Sequence, residues 1–440
     1  MDRGERFFAV TMSGVHGVDH LLKRLFPPLV PLWAVAFGFP LWKLGLILGV
    51  RSFGSAVGQA PIGHLADRYD RRYMLPAGIA LIGIGIAAFA VVPLIPSLGF
   101  EIALAGFTIE SRFAFMLIAM FAAGVGSSAV HPAGYPLIIA NISEDDRGKV
   151  LGMWGSAAKF GDGLAPAFVG ILLIVIGWSE IIIGFGALAV IYALFLAGVL
   201  GTFETRPAEN GPQDAVDGTT DASVDGGLDR RIYLYPILAV FVYFVIQIAA
   251  TAGVTAFLPQ FITAEYGYTF SSGGFSFTAE STASFYFSAL LLVAGVAQLG
   301  TGALADRYDV RVILLGYLAV GSGLLAFFAL VPLGPVALIG VLALLGVTLW
   351  GLNPLRDALI SNITPPGREG RTFGYLWTGA LLVASGAPAV VGYVGDLVGL
   401  RFAFAVLSGV ILVSAAPVLL LLSDRVYVEA GAAEAGTGAD

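Results

Sequence analysis

Long apolar segments separated by short polar turns constrain this chain more than any other feature. Twelve such runs, at roughly 7–37, 41–66, 72–95, 112–142, 148–177, 180–203, 232–262, 281–305, 311–332, 334–363, 371–397 and 400–423, fill most of its 440 residues. At ~1.5 Å per residue, each can cross a hydrocarbon core of about 30 Å as a helix. A transmembrane β-barrel would instead show short segments of alternating polarity. Only 12% of the residues are charged and 58% are hydrophobic, whereas soluble domains carry about 25% charged residues. The expected fold is an all-α membrane protein with twelve transmembrane helices.

The two halves of the chain are related. Gly63-His64-Leu65-Ala66-Asp67-Arg68-Tyr69-Asp70-Arg71-Arg72 returns as Gly302-Ala303-Leu304-Ala305-Asp306-Arg307-Tyr308-Asp309-Val310-Arg311, identical at eight of ten positions. A glutamine, Gln59 or Gln298, stands four residues before each copy. Val92-Pro93-Leu94 recurs as Val331-Pro332-Leu333 at the same offset of 239. Ala165-Pro166-Ala167 recurs as Ala387-Pro388-Ala389 at an offset of 222, the difference of 17 being taken up by the outer loop around 96–111. The expected units are two pseudo-symmetric six-helix bundles, 1–203 and 232–423, joined by a solvated linker at 204–231 and followed by a tail at 424–440. Parallel repeats of this kind permit alternating access around a site at the membrane midplane.

Lysine and arginine set the orientation. Fifteen of the 23 basic residues fall in loops on the side shared by both termini, three (Lys43, Arg112, Arg401) on the other, and five within spans. Both termini are therefore expected in the cytoplasm of a multi-pass cell-membrane protein, with no cleaved signal at the start. Asn141-Ile142-Ser143 and Asn362-Ile363-Thr364 have the form of glycosylation acceptors, but they fall on the cytoplasmic side and are read as helix ends. Without cysteine, disulfide and thiolate chemistry are excluded.

The loop at 63–72 resembles the Gly-x-x-x-Asp-Arg-x-x-Arg-Arg signature between helices 2 and 3 of the major facilitator superfamily, complete here at Gly63, Asp67, Arg68, Arg71 and Arg72. Gly302, Asp306, Arg307 and Arg311 form its weaker copy between helices 8 and 9. The resemblance implies that these loops control the cytoplasmic gate; a purely topogenic role for the arginines is the plainer reading. Gly126-Ser127-Ser128-Ala129-Val130-His131-Pro132 is similar to the Gly-Ser-Ser-x-x-His-Pro stretch of fosmidomycin-resistance-type drug exporters. His16-Gly17-Val18-Asp19-His20 is similar to their His-x-x-Asn-Asp segment, with Asp for Asn and His for Asp. Gly161-Asp162-Gly163-Leu164-Ala165-Pro166 resembles the glycine-proline motif of antiporters, with Ala165 in place of a glycine; helix packing and a proline kink account for it equally.

Ionisable groups inside spans are costly, so they usually face a cavity and work there. Helix 1 carries His16, Asp19, His20 and Lys23 at i, i+3, i+4 and i+7, one helical face, followed by Arg24. Asp19, His131, Lys159, Asp162 and Arg51 lie 11 to 15 residues from the cytoplasmic ends of their spans and so at one level. Asp19 beside His16 and His20 is the expected protonation site, because imidazole titrates near neutrality. Lys159 and Asp162 are also spaced to pair with each other. His131 can serve a backbone carbonyl left by Pro132, and Lys23 and Arg24 can snorkel. The second half offers Tyr243 and Gln247 on helix 7 and Asn353, Arg356 and Asp357 on helix 10, the latter three near the inner end and suited to a gate. The expectation is that the first half handles protons and the second shapes substrate specificity.

These readings converge on a monomeric secondary transporter, proton-coupled, exporting a small organic or drug-like compound by alternating access. The alternative is proton-coupled uptake of an organic anion carrying a carboxylate or phosphate ester. The partners are the small-molecule substrate, protons and the lipid bilayer, with no nucleic acid, cofactor or metal. No His-Glu-x-x-His, Gly-x-Ser-x-Gly or phosphate-binding glycine loop occurs, so metalloprotease, hydrolase and ATP-driven pump lack support. A membrane sensor would need a larger output domain than 204–231 or 424–440 provides.

Overall fold

A computed structural model describes residues 1–94, 99, 101–104, 107–206, 230–364 and 369–423. Most of the linker at 204–231, the tail at 424–440, Arg368 and Arg425 lie outside the described residues. The first half contains α1 (Arg3–Arg24), α2 (Val30–Phe37), α3 (Leu41–Ala66), α4 (Arg71–Val91), α5 (Ser111–Ser127), α6 (Val130–Asn141), α7 (Glu144–Leu172) and α8 (Trp178–Leu200). The second contains α9 (Arg230–Glu265), α10 (Ala279–Ala305), α11 (Val310–Leu330), α12 (Pro335–Leu345), α13 (Asn353–Ile363), α14 (Glu369–Ala384), α15 (Ala387–Val398) and α16 (Leu400–Leu420). Joined end to end, these pieces make twelve rods in two bundles of six.

Four expected spans are broken rather than continuous, each at a proline. Pro27, Pro28 and Pro31 separate α1 from α2 through a short 3₁₀ turn at Pro27–Leu29. Pro132, Pro354 and Pro388 stand two or three residues after the α5/α6, α12/α13 and α14/α15 junctions. A proline ring removes one backbone donor and displaces the carbonyl four residues earlier, and in lipid that carbonyl needs another donor. At the α12/α13 junction, which passes through a π turn at Gly346–Trp350, α10 supplies it. Gln298 Nε2 donates to the Trp350 carbonyl at 3.1 Å and Thr301 Oγ1 to the Gly351 carbonyl at 2.7 Å. The repeated glutamine thus has a structural task in the second half. Two antiparallel hairpins, β1 (Glu101–Leu104) with β2 (Phe107–Glu110) and β3 (Phe270–Ser272) with β4 (Phe275–Phe277), close the loops opposite the repeated motif. The sequence reading contained neither hairpin.

Among the described residues nine rods are long and apolar enough to cross a membrane. The three that are not span 3–37, 41–66 and 144–172, and these carry the charged cavity candidates of the first half, Asp19, Lys23, Arg24, Arg51, Lys159 and Asp162. Their polarity is tolerable because each packs one face against other helices: α1 on α7, α3 on α5 and α15, α7 on α10.

The bundles meet at the end opposite the repeated loops. Gly45 and Gly49 of α3 face the Pro388 and Ser385 carbonyls so closely that a Cβ at either position would overlap them. Asp396 of α15 accepts the Leu41 N–H at 2.8 Å and the Trp42 N–H at 3.0 Å, capping α3 from the other bundle. Ser288 of α10 donates to the Gly163 carbonyl of α7 at 2.6 Å. Toward the loop end the same faces separate. Gly152 lies eleven residues before Gly163, three turns down the same stripe, and a Cβ there would meet nothing within 4 Å. Leu299, eleven residues after Ser288, is 78% exposed. Gly374, eleven before Ser385, is equally open. A cleft between the bundles therefore opens toward the Asp67 and Asp306 loops and closes near the hairpins.

Asp396 neutralises two unpaired N–H groups at the positive end of α3, a contact that exists only with this end closed. Loss of a helix cap costs about 1 kcal/mol, roughly a fivefold change in an equilibrium constant. Asp396→Ala should therefore raise the population with this end open about fivefold. Distance distributions between spin labels on α3 and α15 near this end check it; unchanged distributions would show that the glycine contacts alone hold it closed.

Candidate functional site

The site is built where α1 crosses α7. A Cβ on Gly161 would overlap the Gly17 carbonyl, and this close approach sets His20 and Arg24 of α1 against Asp162 of α7. Arg24 Nε donates to Asp162 Oδ1 at 2.7 Å, and His20 Nδ1 lies 3.1 Å from Asp162 Oδ2. One turn toward the loop end, His16 Nδ1 stands 3.0 Å from the Trp154 carbonyl and its ring stacks on Trp154 at 4.4 Å. The His16 ring meets those of His20 and His131 nearly edge-on, at 4.7 and 4.9 Å between centroids. His131 in turn stacks on Tyr135 at 5.6 Å. Three of the chain's four histidines so form one connected row that ends on the Asp162 carboxylate.

Asp19 turns the other way and accepts a 2.6 Å hydrogen bond from Ser127 at the α5/α6 break. Arg51 is only 3% exposed, and its Nε and Nη2 have no hydrogen-bond partner among the described residues. Its guanidinium carbon lies 6.0 Å from the Phe26 ring, and Asp19 and Arg24 are the charges whose fields reach it. Lys159 marks the apex of the cleft, where its Cβ is 3.4 Å from the Cβ position of Gly295 on α10. The pairing of Lys159 with Asp162 is not formed; Arg24 and His20 occupy that carboxylate instead. Arg24 does not snorkel, because its guanidinium is held by Asp162.

The second bundle contributes a different arrangement. Arg356 lies over Phe244 and Trp377, 4.6 and 4.7 Å from the ring centroids. It donates to Asn353 Oδ1 at 3.0 Å and to Asp357 Oδ1 at 2.9 and 3.0 Å. Its own charge is thus spent locally, while the Asp357 side chain remains 44% exposed, and its field reaches Lys159 and Tyr135 across the cleft. Tyr243 and Gln247 are buried inside this bundle. Gln247 Nε2 reaches the Leu349 carbonyl in the π turn at 3.4 Å, so it serves the helix break, while its Oε1 has no partner among the described residues.

The two repeated loops are anchored by residues that the sequence reading did not single out. Asp70 Oδ1 accepts the Arg72 N–H at 2.9 Å and Asp309 Oδ1 the Arg311 N–H at 2.8 Å, capping α4 and α12's neighbour α11 alike. The Arg311 guanidinium holds the Asp309 carboxyl below the usual carboxylate range. Burial pushes Asp70 upward, but the Thr205 hydroxyl and the Arg72 N–H outweigh it, and its carboxyl too is lowered. Arg311 also donates to the Leu421 carbonyl at 2.8 Å, tying its loop to α16. Arg71 is buried, with Asp67 and Asp70 as the charges that reach it. Among the described residues Asp67 makes no side-chain hydrogen bond or ion pair across the cleft. Gly63 and Gly302 occupy matching positions, each facing a proline of its own bundle, Pro132 and Pro354, at 3.9 Å. Ser127 lay within the quoted 126–132 stretch, and an Asp just before a helix is a recognisable cap signal. Trp154, Tyr135, Phe244 and Trp377 carried no signal beyond aromaticity.

The fold and its two-bundle cleft define a membrane transporter, and comparison with known proteins identifies the family. The profile of the Major Facilitator Superfamily matches residues 12–279 and 276–438, and the chain belongs to that superfamily. It is a secondary transporter of this type and not an enzyme. An uncharacterized MFS-type transporter of Bacillus subtilis, YfnC, is 23% identical over 82% of this chain and 79% of its own length. A probable L-galactonate transporter of Escherichia coli is 26% identical over 36% of this chain and 31% of its own length. Among solved structures, a bacterial homologue of the human lysosomal transporter Spinster, inward-facing and occupied, superposes with a TM-score of 0.76 at 14% identity, covering 97% of this chain and 98% of that one. The inward-open xylose transporter XylE of Escherichia coli gives 0.68 at 15% identity over 98% and 99%.

The unpaired Asp67 yields an expectation for the gate. With the loop end open it has nothing across the cleft to hold, and a gating role predicts that its contribution belongs to the closed state. Asp67→Asn should lower turnover several-fold while changing equilibrium substrate binding less than twofold. Initial-rate transport set beside binding isotherms checks this, and equal losses in both would return the loop to a topogenic role.

Proposed function

We propose that this transporter is proton-coupled and exports a small organic or drug-like compound from the cell. Residues 1–203 and 232–423 act as two bodies rocking about the cleft, linked by 204–231. Both termini, including the 424–440 tail, lie in the cytoplasm of a cell-membrane monomer. The observation that carries the coupling is the histidine row His131–His16–His20, ending 3.1 Å from the Asp162 carboxylate. Imidazole exchanges protons near neutral pH, and Arg24 on the same carboxylate makes its charge responsive to that exchange. A proton arriving at His20 strengthens its hold on Asp162 and competes with Arg24, which alters the charge presented to a substrate. Two ligands that change each other's affinity in this way are coupled reciprocally.

The export direction is supported by the similarity of 16–20 and 126–132 to fosmidomycin-resistance-type exporters. A second reading, proton-coupled uptake of an organic anion, is favoured by two observations. One relative is described as a probable L-galactonate transporter, and the spans contain five basic residues against three acidic ones.

Proteoliposomes with an imposed pH gradient test the coupling. His20→Asn and Asp19→Asn should each reduce gradient-driven accumulation at least tenfold and leave exchange at equal pH within twofold of the parent. Gradient-driven accumulation at the parental rate in both variants would refute proton coupling through this cluster. The sign of the gradient that drives accumulation separates export from uptake.

A further inference from the structure

We propose that the protein binds a water-soluble organic anion through a two-oxygen acidic group, a carboxylate or phosphate, seated on Arg51 beside Lys23, with Lys159 at the apex of the cleft leading to it. The inference deepens the second reading, uptake of an organic anion, and rests on it. It starts from which charges are already matched. Asp162 is taken by Arg24 at 2.7 Å and Asp357 by Arg356 at 2.9 Å, while Asp19 keeps its charge and accepts one neutral hydrogen bond, from the Ser127 hydroxyl at 2.6 Å. Three cations, Lys23, Arg51 and Lys159, remain without an ion-pair partner among the described residues. All three belong to the spans that are not apolar enough to cross a membrane by composition, where an uncompensated cation is costly.

Arg51 supplies the geometry. The two nitrogens that lack partners, Nε and Nη2, form one edge of the guanidinium, and their N–H groups point the same way. That edge matches the two oxygens of a carboxylate or phosphate in a bidentate pair. The other charges near it do not fill the place: Asp19 acts on Arg51 only through its field, and Arg24 repels it. A two-oxygen anion therefore satisfies two buried donors and a charge at once, which a neutral or cationic ligand cannot do. Lys159, at the apex of the cleft where α7 meets Gly295, stands where such an anion would enter from the loop end.

Thermal unfolding of the purified full-length protein in detergent, with ligands matched in skeleton and differing only in charge, tests the proposal. Benzoate, benzamide and benzylamine form one set, gluconate and glucose a second, and glycerol 3-phosphate and glycerol a third. The anion of at least one set should stabilise the protein in a saturable manner, and its neutral and cationic counterparts should not. Arg51→Gln and Lys159→Gln should each weaken that anion at least tenfold, with Arg51→Lys intermediate because a lysine lacks the fork; Lys159→Gln, nearer the open cleft, keeps the test valid if the Arg51 variants do not fold. Stabilisation by neutral or cationic members alone, by none of the compounds, or by phosphatidylglycerol micelles and no soluble anion would overturn it. Anion binding unchanged in both glutamine variants would do the same. A cation that nonetheless accumulates in proteoliposomes on a pH gradient would remove the anion assignment while leaving proton-coupled transport standing.

Discussion

A hydrocarbon environment gives no solvation to an unpaired charge or an unmade backbone hydrogen bond, and this one constraint shapes both halves of the molecule. In the second bundle it is met by local closure at the α12/α13 break and around Arg356, although Tyr243 Oη and Gln247 Oε1 stay buried without partners. Gln298 and Thr301 supply donors to the carbonyls left at the α12/α13 break, and Arg356 is enclosed by Phe244, Trp377, Asn353 and Asp357. In the first bundle a buried charge is left open. Arg24 and Asp162 satisfy each other, but Arg51 keeps two buried donors without partners. A transporter needs this imbalance, because a site whose every polar group is already satisfied gives a substrate nothing to exchange for its hydration shell.

The same constraint explains which parts of the structure could be read from sequence. Apolar runs of more than twenty residues fix spans, and the repeat at Gly63–Arg72 and Gly302–Arg311 fixes the relation between the halves, because both depend on composition and order along one strand of chain. The charged positions of helix 1 were legible as one face through their 3.6-residue spacing. Which acid meets which base was not. Asp162 is three residues from Lys159 yet bonds Arg24, 138 residues away, because the close crossing at Gly17 and Gly161 decides the partner. The breaks at Pro132, Pro354 and Pro388 were marked by the prolines themselves, but the sequence did not reveal that the first of them would set Ser127 against Asp19. Gln247 was read as a cleft residue since it recurs on one face with Tyr243; a helix has other faces to satisfy, and the π turn at Leu349 claimed it.

Helices α3 and α15 illustrate how little energy separates the states of such a molecule. Their glycine contacts and the Asp396 cap are worth a few kcal/mol at most, and a shift of that size is enough to move a two-state equilibrium between its extremes. The Asp67 loop stands at the other end of α3, so under the proposed gating role one helix carries a contact for each closed state. Asp396 engages the first turn of α3 with the hairpin end shut, and Asp67 follows its last turn, idle while the loop end is open. Neither contact need be strong. If either were, the bundles would stay in one arrangement and turnover would stop.

Coupling and substrate charge constrain each other through the sign of the electrostatics. In the proposed coupling, a proton taken up by the row His131–His16–His20 adds positive charge to a cluster that already contains Lys23, Arg51 and Lys159. An anion seated there is bound more tightly after the proton arrives, and by reciprocity the proton is bound more tightly after the anion. Mutual strengthening favours carrying both in the same direction. A cationic compound at the same cluster is repelled by the proton, and mutual exclusion favours exchange of one for the other. The five basic and three acidic residues of the spans therefore bear on mechanism as well as on ligand choice. With an inwardly directed proton gradient, an anion at Arg51 corresponds to uptake, and export by exchange requires a ligand that the proton displaces.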